Sequence, residues 1–439
     1  MKLYHIVRPV VTLAFKIYFR KVFYIGGEKI PHGKPLIFSV NHPTGFFEPT
    51  VLACVFWDCE FYFITRGDMF RKPFYRRILE SLLMIPIFRF KDGFESMRQN
   101  TELMQGIQDR LGERKSIMIF SEGTTKTVKR LRPIQKGLAR MAFGAYEKFG
   151  DIDLQVVPVG LTYSAPHEPR GEVMIQIGDP IPLSNYHALY AENNAKAVNK
   201  LTADVEKAMR PCLVHVERET DEDLSERLFE LYRHSFPVPP FPVFQKSARR
   251  LMAQQEIAHN LNQMADEKRE ILRGVVSSYF SKLESQNISD IAVAQPYHAE
   301  LKNLIALILG FLPFLIGWYG HYLPNAYARK IKRERVKFLE FKGPVYAGVA
   351  MGATILQYLI LFLIGLIGQE PIYWFLFLML PFCGYYSVIY NELWQNYKAC
   401  QALKNLKNTS PESSANGTNL VLKLRAEREA ILKMVRSAV

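Results

Sequence analysis

Residues 35–50 read PLIFSVNHPTGFFEPT. The apolar run over 35–41 predicts a strand that ends in a polar tip at Asn41 and His42. Glu48 follows six positions after the histidine, where the next helix should begin. The same alternation of short apolar runs with helical patterns continues to residue 215. Further strands are expected at 60–66, 84–90, 116–120, 155–163 and 172–177, and stretches with charged faces lie between them at 94–112 and 133–149. Strand–helix alternation of this kind predicts an α/β domain over 31–215, with a mixed or parallel sheet flanked by helices.

A histidine at a strand end is well placed for acid–base work, because its ordinary pKa of about 6.5 lies close to working pH. A carboxylate that accepts from Nδ1–H fixes the tautomer and leaves Nε2 to take a proton from a hydroxyl. His42 and Glu48 are the candidates for this pair. A second segment, FSEGTTK at 120–126, follows another apolar strand. Glu122, Gly123 and Thr124 place backbone N–H groups and a hydroxyl at a strand end, where an anion can sit. Lys126, Lys129, Arg130, Arg132 and Lys136 follow closely, a basic run suited to phosphate.

The chain has 439 residues, 49% hydrophobic and 22% charged, which excludes disorder and allows two or three domains. Its charge is uneven. Residues 303–328, 343–369 and 371–391 contain no Asp, Glu, Lys or Arg. The net charge of +14 points to nucleic acid or an anionic membrane surface. No nucleic-acid recognition motif is present and the basic residues flank the apolar segments, so membrane lipids are the expected partner and nucleic acid is not. Five scattered cysteines include no CxxC and no zinc spacing, so neither a disulfide framework nor a metal site is expected.

Residues 1–30 carry Lys2, Arg8, Lys16, Arg20 and Lys21 among aromatics, with no acid before Glu28; they read as an amphipathic segment on a membrane surface. Residues 216–300 read as a polar helical insert or lid, with FPVPPFPV at 236–243 as a rigid connector. A membrane domain is expected over 301–394, since a span needs ~20 apolar residues. Residues 344–368 and 371–391 form its hairpin; 303–324, interrupted by Gly310, Pro313, Gly317 and Gly320, either spans or re-enters. Seven basic residues against two acids at 325–343, and eight against three at 395–439, place both on the cytoplasmic side. In the tail, NTSPESSANGTN (408–419) predicts a flexible linker. A final helix with Leu420, Leu424, Ile431 and Val435 on one face then lies at the membrane interface. A transporter is not favoured, because intramembrane carboxylates and internal repeats are lacking.

With these blocks in order, the sequence resembles the phospholipid and glycerol acyltransferases of the 1-acylglycerol-3-phosphate acyltransferase type. Members carry NH-x4-D, a block ending in Arg, FPEGTR and a Val-Pro-Val block. NHPTGFFE (41–48), IPIFR (85–89), FSEGTT (120–125) and VVPVGLTY (156–163) match them in sequence order, across about residues 20–215. The resemblance implies that His42 is the catalytic base and Glu48 its orienting carboxylate. It also implies that Asn41, Arg89 and the Glu122–Gly123–Thr124–Thr125–Lys126 turn hold the acceptor. The expected activity is a membrane-bound O-acyltransferase of lipid synthesis. It would move a fatty acyl group from acyl-CoA or acyl-carrier protein to a lysophospholipid or glycerol-3-phosphate-type hydroxyl, with no cofactor, on the cytoplasmic face of a bacterial inner membrane.

Three positions depart from the pattern. His42 and Glu48 give His-x5-Glu, with Phe47 at the strict acid position; Thr125 replaces the FPEGTR arginine; and Leu83 stands where a glycine usually precedes Arg89 by six. Two alternatives follow: an acyltransferase for a non-phosphate lyso-lipid such as a lyso-aminolipid, with Lys126 or Lys129 substituting for the lost arginine if phosphate is bound after all, or a catalytically degenerate lipid-binding membrane protein.

Overall fold

The structure is a computed structural model that describes residues 2–87, 94–368, 370–408 and 411–436. It divides into two compact units. Unit one comprises Met1–His215, Pro242–Met252 and Val336–Pro344; unit two comprises Val216–Phe241, Ala253–Arg335 and Val345–Val439.

Unit one is built on a nine-stranded sheet. Its strands are β1 (Lys21–Ile25), β2 (Leu36–Val40), β3 (Phe61–Arg66), β4 (Met84–Ile87), β5 (Ser116–Phe120), β6 (Gln155–Tyr163), β7 (Glu172–Ile177), β8 (Ile181–Pro182) and β9 (Phe244–Lys246). They lie in the order β4-β3-β5-β2-β6-β7-β1-β9, with β8 on β6. Pairing is parallel except where β6 meets β7 and β8. The mixed sheet and all six expected strands are present; residues 88–90 of the strand expected at 84–90 lie outside the described residues. All five residues of β2 are buried between β5 and β6, which is why LIFSV reads as a continuous apolar run with no alternation. Its one hydroxyl, Ser39 Oγ, is 2.6 Å from Ser121 Oγ. On β6, a Cβ at Gly160 would stand 2.2 Å from the Cys212 carbonyl oxygen, so only glycine fits there.

Helices α1 (Leu3–Tyr18), α2 (Phe47–Val55), α3 (Pro73–Ser81), α4 (Phe94–Gly112), α5 (Gly137–Phe149), α6 (His187–Glu192) and α7 (Asn194–Met209) surround the sheet. Residues 1–30 are not a separate segment. Tyr4, Phe15 and Tyr18 are buried in unit one, and β1 pairs with β7 and β9. Two of the cations expected at a membrane surface point inward. Arg8 donates from Nε to Ala53 O (2.6 Å) and from Nη2 to Phe56 O (2.7 Å), satisfying the carbonyl end of α2. Lys21 is buried, with its Nζ on Pro242 O at 2.5 Å. The other face of α1 does expose an apolar stripe: Ile6, Val10, Leu13 and Ile17.

Unit two is helical: α8 (Glu222–Ser235), α9 (Arg249–Gln263, which begins in unit one), α10 (Asp266–Ser285), α11 (Asp290–Ala294), α12 (Leu301–Leu309), α13 (Phe311–Gly320), α14 (Tyr322–Arg335), α15 (Leu339–Gly368, whose first residues belong to unit one), α16 (Pro371–Asn408) and α17 (Pro411–Arg436). Helices α15 and α16 are long and apolar enough to cross a membrane, and their apolar side chains are largely exposed. The 30 residues of α15 rise ~45 Å, more than a ~30 Å hydrocarbon core requires. Helices α12 and α13 are bent by 53° at Gly310, a broken span or a re-entrant pair as the glycines predict. Glycine also permits close packing here: a Cβ at Gly317 would stand 1.9 Å from the Cys383 carbonyl oxygen of α16.

Two expectations fail in the tail. The composition of 408–419 predicts a flexible linker, yet α17 begins at Pro411; residues 409 and 410 lie outside the described residues. The final helix is not interfacial either. Leu424, Ile431 and Val435 are buried, with Val421 beside them, and Leu420 is half-buried. Its apolar face packs on protein, and Arg428 on the same helix is drawn inward to Asp290 at 2.8 Å.

Candidate active site

Val40 of β2 is paired with Phe120 of β5, so the chain leaves both strands at one level. Asn41-His42 and Ser121-Glu122 therefore emerge side by side at the carboxyl ends of parallel strands, where open α/β sheets form sites. The Asn41 side chain does not reach out. It is buried, donates from Nδ2 to Leu161 O (2.9 Å) and accepts the Leu161 N–H (2.8 Å), tying the tip of β2 to β6.

The His42 ring stacks on Phe120 with centroids 4.1 Å apart. Its Nδ1 is 3.1 Å from Glu48 Oε2, and the Glu48 side chain is fully buried. Glu48 lies in the first turn of α2, where the helix dipole favours a carboxylate. Its second oxygen accepts the Thr44 N–H at 2.8 Å, and Thr44 Oγ1 accepts the Phe47 N–H at 3.1 Å. The loop between the two residues thus closes on itself, and the longer glutamate arm spans the added residue. Phe47 turns away into a cluster of Phe15, Tyr18, Phe19 and Tyr163 rings. The Tyr163 hydroxyl is buried beside Glu48. Burial first, and then the Glu48 charge, pushes the phenol well above its usual range, so it stays neutral.

The second loop braces the first. Glu122 is buried; its Oε2 accepts the His42 N–H (2.9 Å) and Arg132 Nη2 (2.8 Å), and its Oε1 accepts the Arg132 N–H (2.9 Å). Gly123 has φ +71°, which favours glycine in this turn. Arg132 also donates from Nη1 to Thr124 Oγ1 (2.6 Å) and from Nη2 to the Thr124 carbonyl.

A family model described as Acyltransferase matches residues 21–162, the stretch that holds both loops. The chain carries an acyltransferase domain. Among curated proteins it is similar to glycerol-3-phosphate O-acyltransferase 1 of Saccharomyces cerevisiae, 27% identical over 202 residues, which are 45% of this chain and 26% of that one. Glycerol-3-phosphate O-acyltransferase 2 of the same yeast is 28% identical over 225 residues, 49% of this chain and 29% of that one. The matches therefore span less than a third of either yeast protein. Among solved structures, the 1-acyl-sn-glycerophosphate acyltransferase of Thermotoga maritima aligns with a TM-score of 0.32 and 15% identity, over 46% of this chain and 81% of that one.

The acyltransferase domain brings His42, Glu48, Glu122, Gly123 and Thr124 together, but it uses two of the expected substrate contacts as scaffolding. Asn41 and Glu122 have their polar atoms taken up by the protein. Thr125 is half-buried and Lys126 exposed at the edge of the turn, with the Lys126 N–H donating to His42 O at 3.3 Å. Arg89 lies outside the described residues. The guanidinium in this turn is that of Arg132; the Lys129 ammonium is on the Tyr163 carbonyl instead. Nothing in the sequence separates Arg132 from the other cations of its run. Neither does it reveal Tyr163, which reaches Glu48 only through the β2–β6 pairing. Burial pushes the domain's thiols up, Cys59 to about 11 and Cys212 to about 12, which leaves them poor nucleophiles.

Proposed function

We propose that the protein is a membrane-bound O-acyltransferase that moves a fatty acyl group from acyl-CoA or acyl-carrier protein to the hydroxyl of glycerol 3-phosphate or a lysophospholipid. The observation that carries this reading is the His42 Nδ1–Glu48 contact of 3.1 Å, made by a fully buried carboxylate. With Nδ1–H directed at Glu48, Nε2 takes the proton of the acceptor hydroxyl. The hydroxyl oxygen attacks the thioester carbonyl; the tetrahedral intermediate collapses with cleavage of the C–S bond. The departing thiolate then receives the proton from the imidazolium. Glu48 stabilises that cation. The N–H groups of His42, Thr44, Gly45 and Phe47 already donate within the protein, so the turn after His42 offers none of these to the oxyanion without giving up a loop contact.

The similarity to two yeast glycerol-3-phosphate O-acyltransferases supports glycerol 3-phosphate as acceptor. Arg132 supports a second acceptor class, a lyso-lipid without phosphate, because its charge is already paired with Glu122. The exposed stripe of α1 supports a resting place on the lipid surface, and the basic flanks of α15 and α16 support a cytoplasmic catalytic face, as on a bacterial inner membrane. Purified protein offered glycerol 3-phosphate, lysophosphatidate and lyso-aminolipids, with labelled acyl-CoA or acyl-carrier protein, tests the proposal through its products. His42→Ala should lose about 10²–10⁴-fold in kcat; turnover near wild type would refute the histidine base.

A further inference from the structure

The catalytic loop has a second brace, which comes from the foot of a membrane-length helix. Residues 336–344, including the first turn of α15, belong to unit one. The Gly45 N–H donates to the Glu340 carbonyl at 3.0 Å. The Thr127 N–H lies 3.4 Å from Glu340 Oε1, and Thr127 Oγ1 donates to Pro43 O at 2.8 Å. The Phe341 ring meets the half-exposed Phe46 edge-on, centroids 5.9 Å apart. A Cβ at Gly45 would stand 2.3 Å from Phe341 Cδ1, and a Cβ at Gly343 would stand 1.9 Å from the Pro166 carbonyl oxygen and 3.0 Å from the Tyr18 hydroxyl. Both glycines are therefore places where this segment touches the domain with no room for a side chain.

The sequence explains why the Glu340 carbonyl is available. In an uninterrupted helix it would accept from the N–H of residue 344, which is Pro344 and has none. The carbonyl freed by the proline is the one that accepts from Gly45. Gly45 itself lies between His42 and Glu48, so the distance within the pair depends on where this loop is held.

We propose that Glu340, Phe341 and Pro344 are positioning residues for acyl transfer: the foot of α15 holds the His42–Glu48 loop in its reactive shape, and the catalytic site is complete only when this helix is present. The inference rests on the acyltransferase reading of His42 and Glu48. These residues act through the loop, so their loss should lower kcat and leave both KM values near wild type. Misplacement of a reacting group by about 1 Å costs up to ~100-fold, and a fall of about 10- to 100-fold is expected.

The test uses full-length protein in detergent micelles and the variants Gly45→Ala, Phe341→Ala, the Gly45→Ala/Phe341→Ala double and Pro344→Ala, with His42→Ala as control. Gly45→Ala should lower kcat because its methyl meets Phe341, and the double variant should recover part of that loss by removing the ring. Pro344→Ala should lower kcat while the thermal midpoint holds or rises, because alanine favours the helix and restores the competing N–H. A role in folding alone would move activity and stability together. Carbethoxylation of His42 by diethyl pyrocarbonate, followed by mass spectrometry, reads the loop without turnover: it should be faster in Gly45→Ala and Phe341→Ala, and in the double slower than in Gly45→Ala. Wild-type kcat and wild-type modification rates in these variants, with His42→Ala inactive, overturn the brace and leave the acyltransferase reading standing. Activity retained in His42→Ala overturns that reading, and the brace with it.

Discussion

Glu48 shows how a single residue can depart from a pattern and keep its task. The loop is one residue longer than the family spacing, the glutamate arm is one methylene longer than aspartate, and the carboxylate still reaches Nδ1. Glu48→Gln keeps the size and an acceptor for Thr44 but loses the charge that stabilises imidazolium. Its kcat should fall by about 10²–10⁴-fold, with acceptor KM little changed, as measured by initial rates at saturating donor. Asn41 should behave in the opposite way. Asn41→Ala leaves the buried N–H and carbonyl of Leu161 without partners, each worth ~1–3 kcal/mol, so denaturant unfolding should show a loss of about 2–4 kcal/mol while acceptor KM stays near wild type. A large KM change in a stable Asn41→Ala protein would return the residue to substrate binding. Leu83 is legible in part. The glycine expected there was absent from the sequence, and the position has φ +63°, the region that favours glycine. Leu83 is buried, and the burial of its side chain offsets the backbone cost.

At the scale of elements, α17 owes its place to one buried carboxylate. Asp290 Oδ1 accepts from Arg428 Nε (2.8 Å) and Tyr279 OH (2.6 Å), and Oδ2 lies 2.8 Å from His234 Nδ1. These join α17, α10 and α8 to α11. Burial alone would raise this carboxyl, but the hydrogen bonds from His234 and Arg428 outweigh it and hold it below the ordinary carboxylate range. A depressed folded pKa contributes stability that is present above the unfolded value of ~3.9 and is lost as pH falls through the folded one. Unfolding of unit two should therefore become easier below about pH 4, and Asp290→Asn should flatten that part of the acid slope. Arg428→Ala removes the guanidinium from this buried carboxylate and leaves it to His234 and Tyr279, which should cost about 3 kcal/mol at neutral pH; both are read by denaturant titration in micelles. An unchanged acid slope in Asp290→Asn would remove Asp290 from the account. Composition could not show this. NTSPESSANGTN scores as linker by residue type, and the arginine that pulls its helix inward is far from its partner along the chain.

For the whole molecule, the testable statement is topological. With five native cysteines replaced, Glu370→Cys between α15 and α16 should react with an impermeant maleimide added outside intact cells, and Arg335→Cys should react only after the membrane is opened. The basic residues of 325–343 and 395–439 give the sign of this expectation. Labelling at 335 in sealed cells would require α12 and α13 to form a full span. The sequence by itself determined the six main strands, the two membrane-length helices, the break at Gly310 and the His42–Glu48 pair. Each is written in local signals: continuous apolar runs, length without charge, glycine, and a short spacing from strand end to helix start. Only the tertiary structure decided the rest. β9 has three residues, too few to show a period, and β1 opens on a lysine amid a basic, aromatic stretch; both exist through partners far along the chain. Arg8, Lys21, Asn41 and Arg132 look like surface or substrate-facing residues until the fold supplies carbonyls and carboxylates beside them. Buried polar groups take their roles from whatever partner removes the cost of leaving water, and the chain order of those partners carries no local mark.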